Sequence, residues 1–162
     1  MRALATIAVL ALGCTACAGL AGDGRVEAEL LHRSAFCGRD DPRPALTLIT
    51  DQAAFAATWQ RISGTALPRP AMPQVNFGRR LVAVVELGSR RHGGSSLEAT
   101  GSDAVVRRGT VALPVAAREP EPGMLTTTVL SAPCMAFALD RDGIDVVSAL
   151  GIPAAVPPAH DR

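Results

Sequence analysis

Arg80-Leu81-Val82-Ala83-Val84-Val85-Glu86-Leu87 is the stretch that decides the fold. Its apolar residues do not alternate with polar ones, and the run is too short for a buried helix. A continuous run of this length, rich in Val, predicts a central strand buried on both faces. Something must therefore cover each side of it.

The segment upstream supplies one cover. Thr50 or Asp51 can accept a hydrogen bond from the free amides of a first helical turn. Phe55, Trp59 and Ile62 then recur at i, i+4 and i+7, and Gly64 stops the pattern. This predicts one amphipathic helix whose apolar stripe packs on the sheet. Other β-prone runs surround these two elements: residues 26–36, 46–49, 96–100, 105–107, 110–117, 126–130 and 135–139. Asp140-Arg141-Asp142-Gly143 reads as a hairpin turn, with residues 144–150 pairing back as a last strand. One helix among many strands predicts an α+β domain, a mostly antiparallel sheet with the helix on one face. The domain spans residues 26–150, and the proline-bearing residues 151–162 read as a disordered tail.

The amino terminus reads as an export signal. A single Arg2 precedes an apolar run, and small residues surround Cys14 and Cys17. The run falls short of the roughly 20 residues of a bilayer-spanning helix. Residues 1–18 are expected to be the signal and residues 19–25 a tether. Leu10-Ala11-Leu12-Gly13-Cys14 is similar to a bacterial lipobox; Cys17 is a second lipidation candidate, and Ala16-Cys17-Ala18 is an A-x-A cleavage site. The expected setting is a bacterial cell envelope, outer membrane or periplasm with a lipid anchor, or secretion. With Cys17 lipidated, or cleavage after Ala18, Cys37 and Cys134 remain as a clean pair; with Cys14 lipidated, Cys17 stays as an odd thiol. A Cys37–Cys134 disulfide is expected in an oxidising compartment, against two buried thiols.

Composition narrows the function. All 16 basic residues are Arg and 15 residues are acidic, a net charge of +1. Such balance excludes a nucleic-acid binder, which carries a basic excess on one face. Four Phe, one Trp and no Tyr leave little for base or sugar stacking.

Leu48-Ile49-Thr50-Asp51-Gln52-Ala53-Ala54-Phe55 with Trp59 resembles the opening of the C-terminal domain of the PrcB family, subunits of a protease complex. Val75-Asn76-Phe77, the apolar strand, and Gly88-Ser89-Arg90-Arg91-His92-Gly93-Gly94-Ser95-Ser96-Leu97 resemble the family's next block, which is close to G-x-R-P-T-G-G-Y-S-I. Glu121-Pro122-Gly123-Met124 and Ser131-Ala132-Pro133 match a later turn and proline. Arg91, His92 and Ser95 depart from the family's Pro, Thr and Tyr. The resemblance implies a non-catalytic, often lipid-anchored envelope protein that binds or supports a protease.

The partner-binding loop is expected at Arg90, Arg91, His92, Gly93 and Gly94, joined by Pro122 and Gly123. Its glycines allow close backbone approach and its arginines offer forks for carboxylates, although a solvated hairpin has the same composition. No catalytic residue, metal or cofactor is assigned. His92 beside Ser95 and Ser96 lacks a nucleophile elbow and an orienting carboxylate. Asp140, Asp142 and Asp145 lack the further ligands of a calcium loop. Glu119 and Glu121 read as solvated loop charges. The alternative function is an inhibitor-like module whose Gly-Gly and Pro-Gly loops enter a protease cleft.

Overall fold

The computed structural model describes residues 23–64 and 66–158. The signal, most of the tether with Cys14 and Cys17, and His160 lie outside the described residues. The fold is α+β, one helix with mostly antiparallel sheets.

In chain order the strands are β1 (Gly24–Glu27), β2 (Glu29–Ser34) and β3 (Ala45–Ile49), then helix α1 (Gln52–Ile62). β4 (Arg80–Glu86), β5 (Ser96–Ala99), β6 (Asp103–Arg107), β7 (Thr110–Ala112) and β8 (Val115–Arg118) follow. β9 (Cys134–Asp140), β10 (Val146–Ala149) and β11 (Ile152–Ala155) close the chain. They form a four-stranded sheet, β2-β9-β4-β3, a five-stranded sheet, β1-β6-β7-β10-β11, and a two-stranded ribbon, β5-β8.

The continuous run in β4 has the expected explanation. β4 lies between β3 and β9, antiparallel to both. Leu81, Ala83 and Val85, with Met135, Phe137 and Leu139 of β9, face the core shared with the five-stranded sheet through Val111 and Val147. Val82 and Val84, with Ala136 and Ala138, face the helix through Phe55, Trp59 and Ile62. The four-stranded sheet is thus the middle of three layers, which is why neither face of its central strands can be polar.

The helix begins where the sequence places it. Asp51 is the N-cap, its carboxylate accepting the Ala54 N–H at 2.8 Å. Phe55 lies tilted against Trp59 and edge-to-face with Phe77, with ring centroids 5.8 and 5.7 Å apart. The Trp59 edge also meets His32 at 5.2 Å, and the His32 Nε2–H donates to the Ile62 carbonyl at 3.0 Å.

Cys37 and Cys134 form a disulfide, both fully buried. It ties the segment after β2 to the start of β9. Beside it, the buried Glu86 carboxylate, 2% exposed, accepts from Arg61 at 2.6 Å and lies 3.6 Å from Arg39. Arg61 also donates to the Cys37 carbonyl at 2.9 Å.

Four expectations are corrected. The run 26–36 is two strands, because Ala28 leaves the ladder and the chain changes sheets there. The turn at Asp140-Arg141-Asp142-Gly143 does not make a hairpin: β10 crosses to the other sheet and runs parallel to β7. The expected tail from Gly151 instead begins with a strand. Leu150 and Gly151 both take positive φ, 52° and 78°, and return β11 antiparallel to β10. Pro153 is tolerated because β11 is a sheet edge. Finally, residues 126–130 join no sheet.

Candidate functional site

The loop after β4 is anchored before it reaches any partner. Gly88 has φ 84°, and a Cβ there would stand 2.6 Å from the Pro42 carbonyl carbon. Only glycine fits that approach. The Ser89 N–H donates to the Asp41 carbonyl at 2.9 Å, and its hydroxyl to the Asp40 carbonyl at 2.7 Å. Asp41 itself is held down to about 2 by side-chain bonds from Arg43 and by the Arg43 N–H.

Arg90 is a clamp and not a free fork. Its backbone exchanges two hydrogen bonds with Ser131, at 2.7 and 2.9 Å. Its guanidinium donates to Glu119 Oε1 at 3.0 Å and to the Pro42 carbonyl at 2.8 Å. The other Glu119 oxygen accepts the buried Ser95 hydroxyl at 2.6 Å. Burial raises the Glu119 carboxyl, but the Ser95 bond, the Arg90 bond and the Arg90 charge together leave it below its ordinary value. Glu119 is exposed, as its reading as a loop charge expects, and its two oxygens also brace Arg90 and Ser95. Ser95 gives its hydroxyl to Glu119 and not to His92, so the two do not form a nucleophile–base pair.

The second loop closes on the first. Glu121-Pro122-Gly123-Met124 is a tight turn, with Gly123 at φ 87° and the Met124 N–H bonded to the Glu121 carbonyl at 3.1 Å. Beyond it the Gly93 N–H donates to the Thr127 carbonyl at 2.8 Å. A Cβ on Gly93 would press on Thr127 Oγ1 at 2.5 Å, and Gly94, at φ 92°, packs on Pro120. Both glycines thus have a packing or conformational reason to be glycine.

Between the loops lies an open pocket of about 280 Å³, lined by Arg91, His92, Ser95, Glu119, Glu121 and Met124 among others. The expected loop residues 90–94 are brought against the second loop. Pro122 and Gly123 shape the turn but do not line the pocket. Arg91 and His92 are exposed and make no ion pair among the described residues. Met124 is 58% exposed and Leu125 fully so. This mixed rim, apolar on one side and charged on the other, suits contact with a polypeptide. The apolar residues beyond the Pro-Gly turn were the part sequence reading passed over.

A second cluster groups metal-ligating types: His32, Cys37 and Cys134 have ligand atoms within 4.8 Å of one another. The sulfurs are spent on each other, however, and a disulfide offers no thiolate to a metal.

Comparison of this chain with protein families, curated proteins and solved structures finds no match. The likeness to the PrcB C-terminal domain stands on the residues quoted above alone.

Proposed function

We propose that this chain is an exported, non-catalytic envelope protein that binds another protein and supports a protease complex. It is anchored by a lipid on Cys14 or Cys17, or released after signal cleavage. The buried disulfide agrees with life in an oxidising compartment. The observation that carries the binding role is the face made by two sequence-distant loops. Arg90, Glu119 and Ser95 fix them together, and Arg91, His92, Met124 and Leu125 are left exposed. A rigid scaffold presenting exposed loop residues is the usual form of a recognition surface.

The test uses the full chain in its host envelope, recovered through an affinity tag. Arg91→Glu with Leu125→Asp is expected to remove a co-purifying protease that the parent chain retains. Retention of the same partner by the double variant refutes this face. Intact mass of the recovered protein reports the cleavage point and any acyl chains.

One observation favours the inhibitor reading: Leu125 projects fully exposed just past a Pro-Gly turn, a shape that can enter a cleft. In that case the purified chain slows its protease at stoichiometric dose, and Leu125→Asp abolishes the effect.

A further inference from the structure

Residues 124–130 read Met-Leu-Thr-Thr-Thr-Val-Leu, two apolar residues, three threonines and two apolar residues. The pattern is the same from either end. The segment also has a free side. Thr127 and Ser131 turn their carbonyls inward, accepting from the Gly93 and Arg90 N–H groups at 2.8 and 2.7 Å. The backbone groups of Thr126, Thr128 and Leu130, between and beside them, have no protein partner among the described residues. Thr127 and Ser131 bond inward, Val129 between them bonds only to Thr127, and Thr126, Thr128 and Leu130 are left to present N–H and C=O outward, as alternate residues of an edge strand do. A local bond from the Val129 N–H to the Thr127 carbonyl, at 3.0 Å, bends the segment at Thr128. Sequence with strong β preference is thus left outside any sheet, with most of its side chains exposed and one side of its backbone free among the described residues.

We propose that this edge pairs with the same edge of a second copy of the chain, antiparallel, about a twofold axis through Thr127. The register follows from the palindrome. Thr126 meets Thr128 of the other copy as a hydrogen-bonded pair, using the outward groups of both. Thr127 meets its own symmetry mate as a non-hydrogen-bonded pair. Leu125 falls opposite Val129, and Met124 opposite Leu130. Each cross-strand pair is then Thr with Thr or apolar with apolar, the favourable combinations on an antiparallel ladder. A slip by one residue sets an apolar side chain against a threonine. The contact is isologous, so it closes at two copies and does not propagate. Arg91 and Glu121 on the adjoining rim also make no ion pair within the described chain, so each copy offers one charge of each sign. The inference does not rest on the protease-binding reading, although Arg91, Glu121, Met124 and Thr126 also line the pocket and Leu125 belongs to the face proposed to bind a protease.

A ribbon of this length buries less than the roughly 1,200 Å² of a stable interface. The pairing is therefore best trapped by register-specific cross-linking. Single cysteines are placed in the full chain at Thr127 or Leu125, and a pair at Leu125 and Val129. Each is oxidised in the host envelope beside the parent chain, which controls for Cys14 and Cys17. Across the axis two Thr127→Cys residues have Cα atoms about 4.5 Å apart, within disulfide reach. Two Leu125→Cys residues lie about four residues apart along the ribbon, roughly 13 Å, beyond it. The expected result is a covalent dimer with Thr127→Cys, about tenfold less with Leu125→Cys, and recovery in the Leu125→Cys/Val129→Cys chain. Equal cross-linking at Thr127 and Leu125, no dimer from either, or capture of a different protein at Thr127 each overturns the proposal. Trp59 fluorescence confirms that the variants keep the parent fold.

Discussion

Breaking the Cys37–Cys134 cross-link is the perturbation whose size follows most directly from the structure. The two cysteines are 97 residues apart, so the bond closes a loop holding most of the domain. In the chain-entropy treatment, a loop of that length removes about 4.7 kcal/mol of unfolded-state freedom at 25 °C. A domain of ordinary size is stable by only about 5–15 kcal/mol, so the bond carries a large share. With a urea slope of about 2 kcal/mol/M, its loss moves the midpoint down by about 2 M. Thermal midpoints fall by roughly 15 °C. Trp59 reports the transition well: it is the sole tryptophan, buried against Phe55 and His32. Urea titrations with and without a thiol reductant, beside the Cys37→Ala/Cys134→Ala chain, make the measurement. Both cysteines are fully buried, so the double variant also forfeits some packing and should lie slightly below the reduced parent. An unchanged midpoint on reduction refutes the reasoning, because it means the bond does not constrain the unfolded chain.

Arg61→Met should cost about 3–5 kcal/mol in urea unfolding, because it leaves the buried Glu86 carboxylate with only Arg39 at 3.6 Å. Glu86→Gln should cost less, since the Arg61 guanidinium it abandons can still reach water; the reverse order would contradict the assignment. Phe55→Ala opens a void between helix and sheet and should lose about 3–5 kcal/mol by the same assay. The depressed Glu119 carboxyl contributes stability that is present above its ordinary value of 4.5 and is lost as pH falls through its lower folded value. Ser95→Ala removes a lowering hydrogen bond, so the Glu119 titration followed by carbon NMR should move up; a downward or absent movement refutes the bracing role.

What the sequence reveals divides along physical lines. The helix was legible because its signals are local: an N-cap at Asp51 and a stripe at Phe55, Trp59 and Ile62. The double burial of β4 was legible because a run with no polar side has no alternative. Pairing partners are a different matter. Nothing near Val146 says that β10 will run parallel to β7, and Pro153 and Pro157 mask a Leu150-Gly151 turn that builds β11. Residues 126–130 carry every local mark of a strand, yet a strand needs a neighbour, and the inner side supplies only Gly93 and Arg90. In the site, the glycines and Arg91 were named from composition. The bracing role of the exposed Glu119 was not legible because its partners Arg90 and Ser95 lie more than 20 residues away in the chain.

The proposed contact of the face around Arg91 and Leu125 with a protease complex in the envelope is open to a direct test. Photo-reactive residues at Leu125 and, as a control on the outer surface of the helix, at Gln60 would be illuminated in the host, with the adducts identified by mass spectrometry. The account predicts a protease or its subunit joined at Leu125 and nothing at Gln60. Equal labelling at the two positions, or no adduct to any protease component at Leu125, would contradict it.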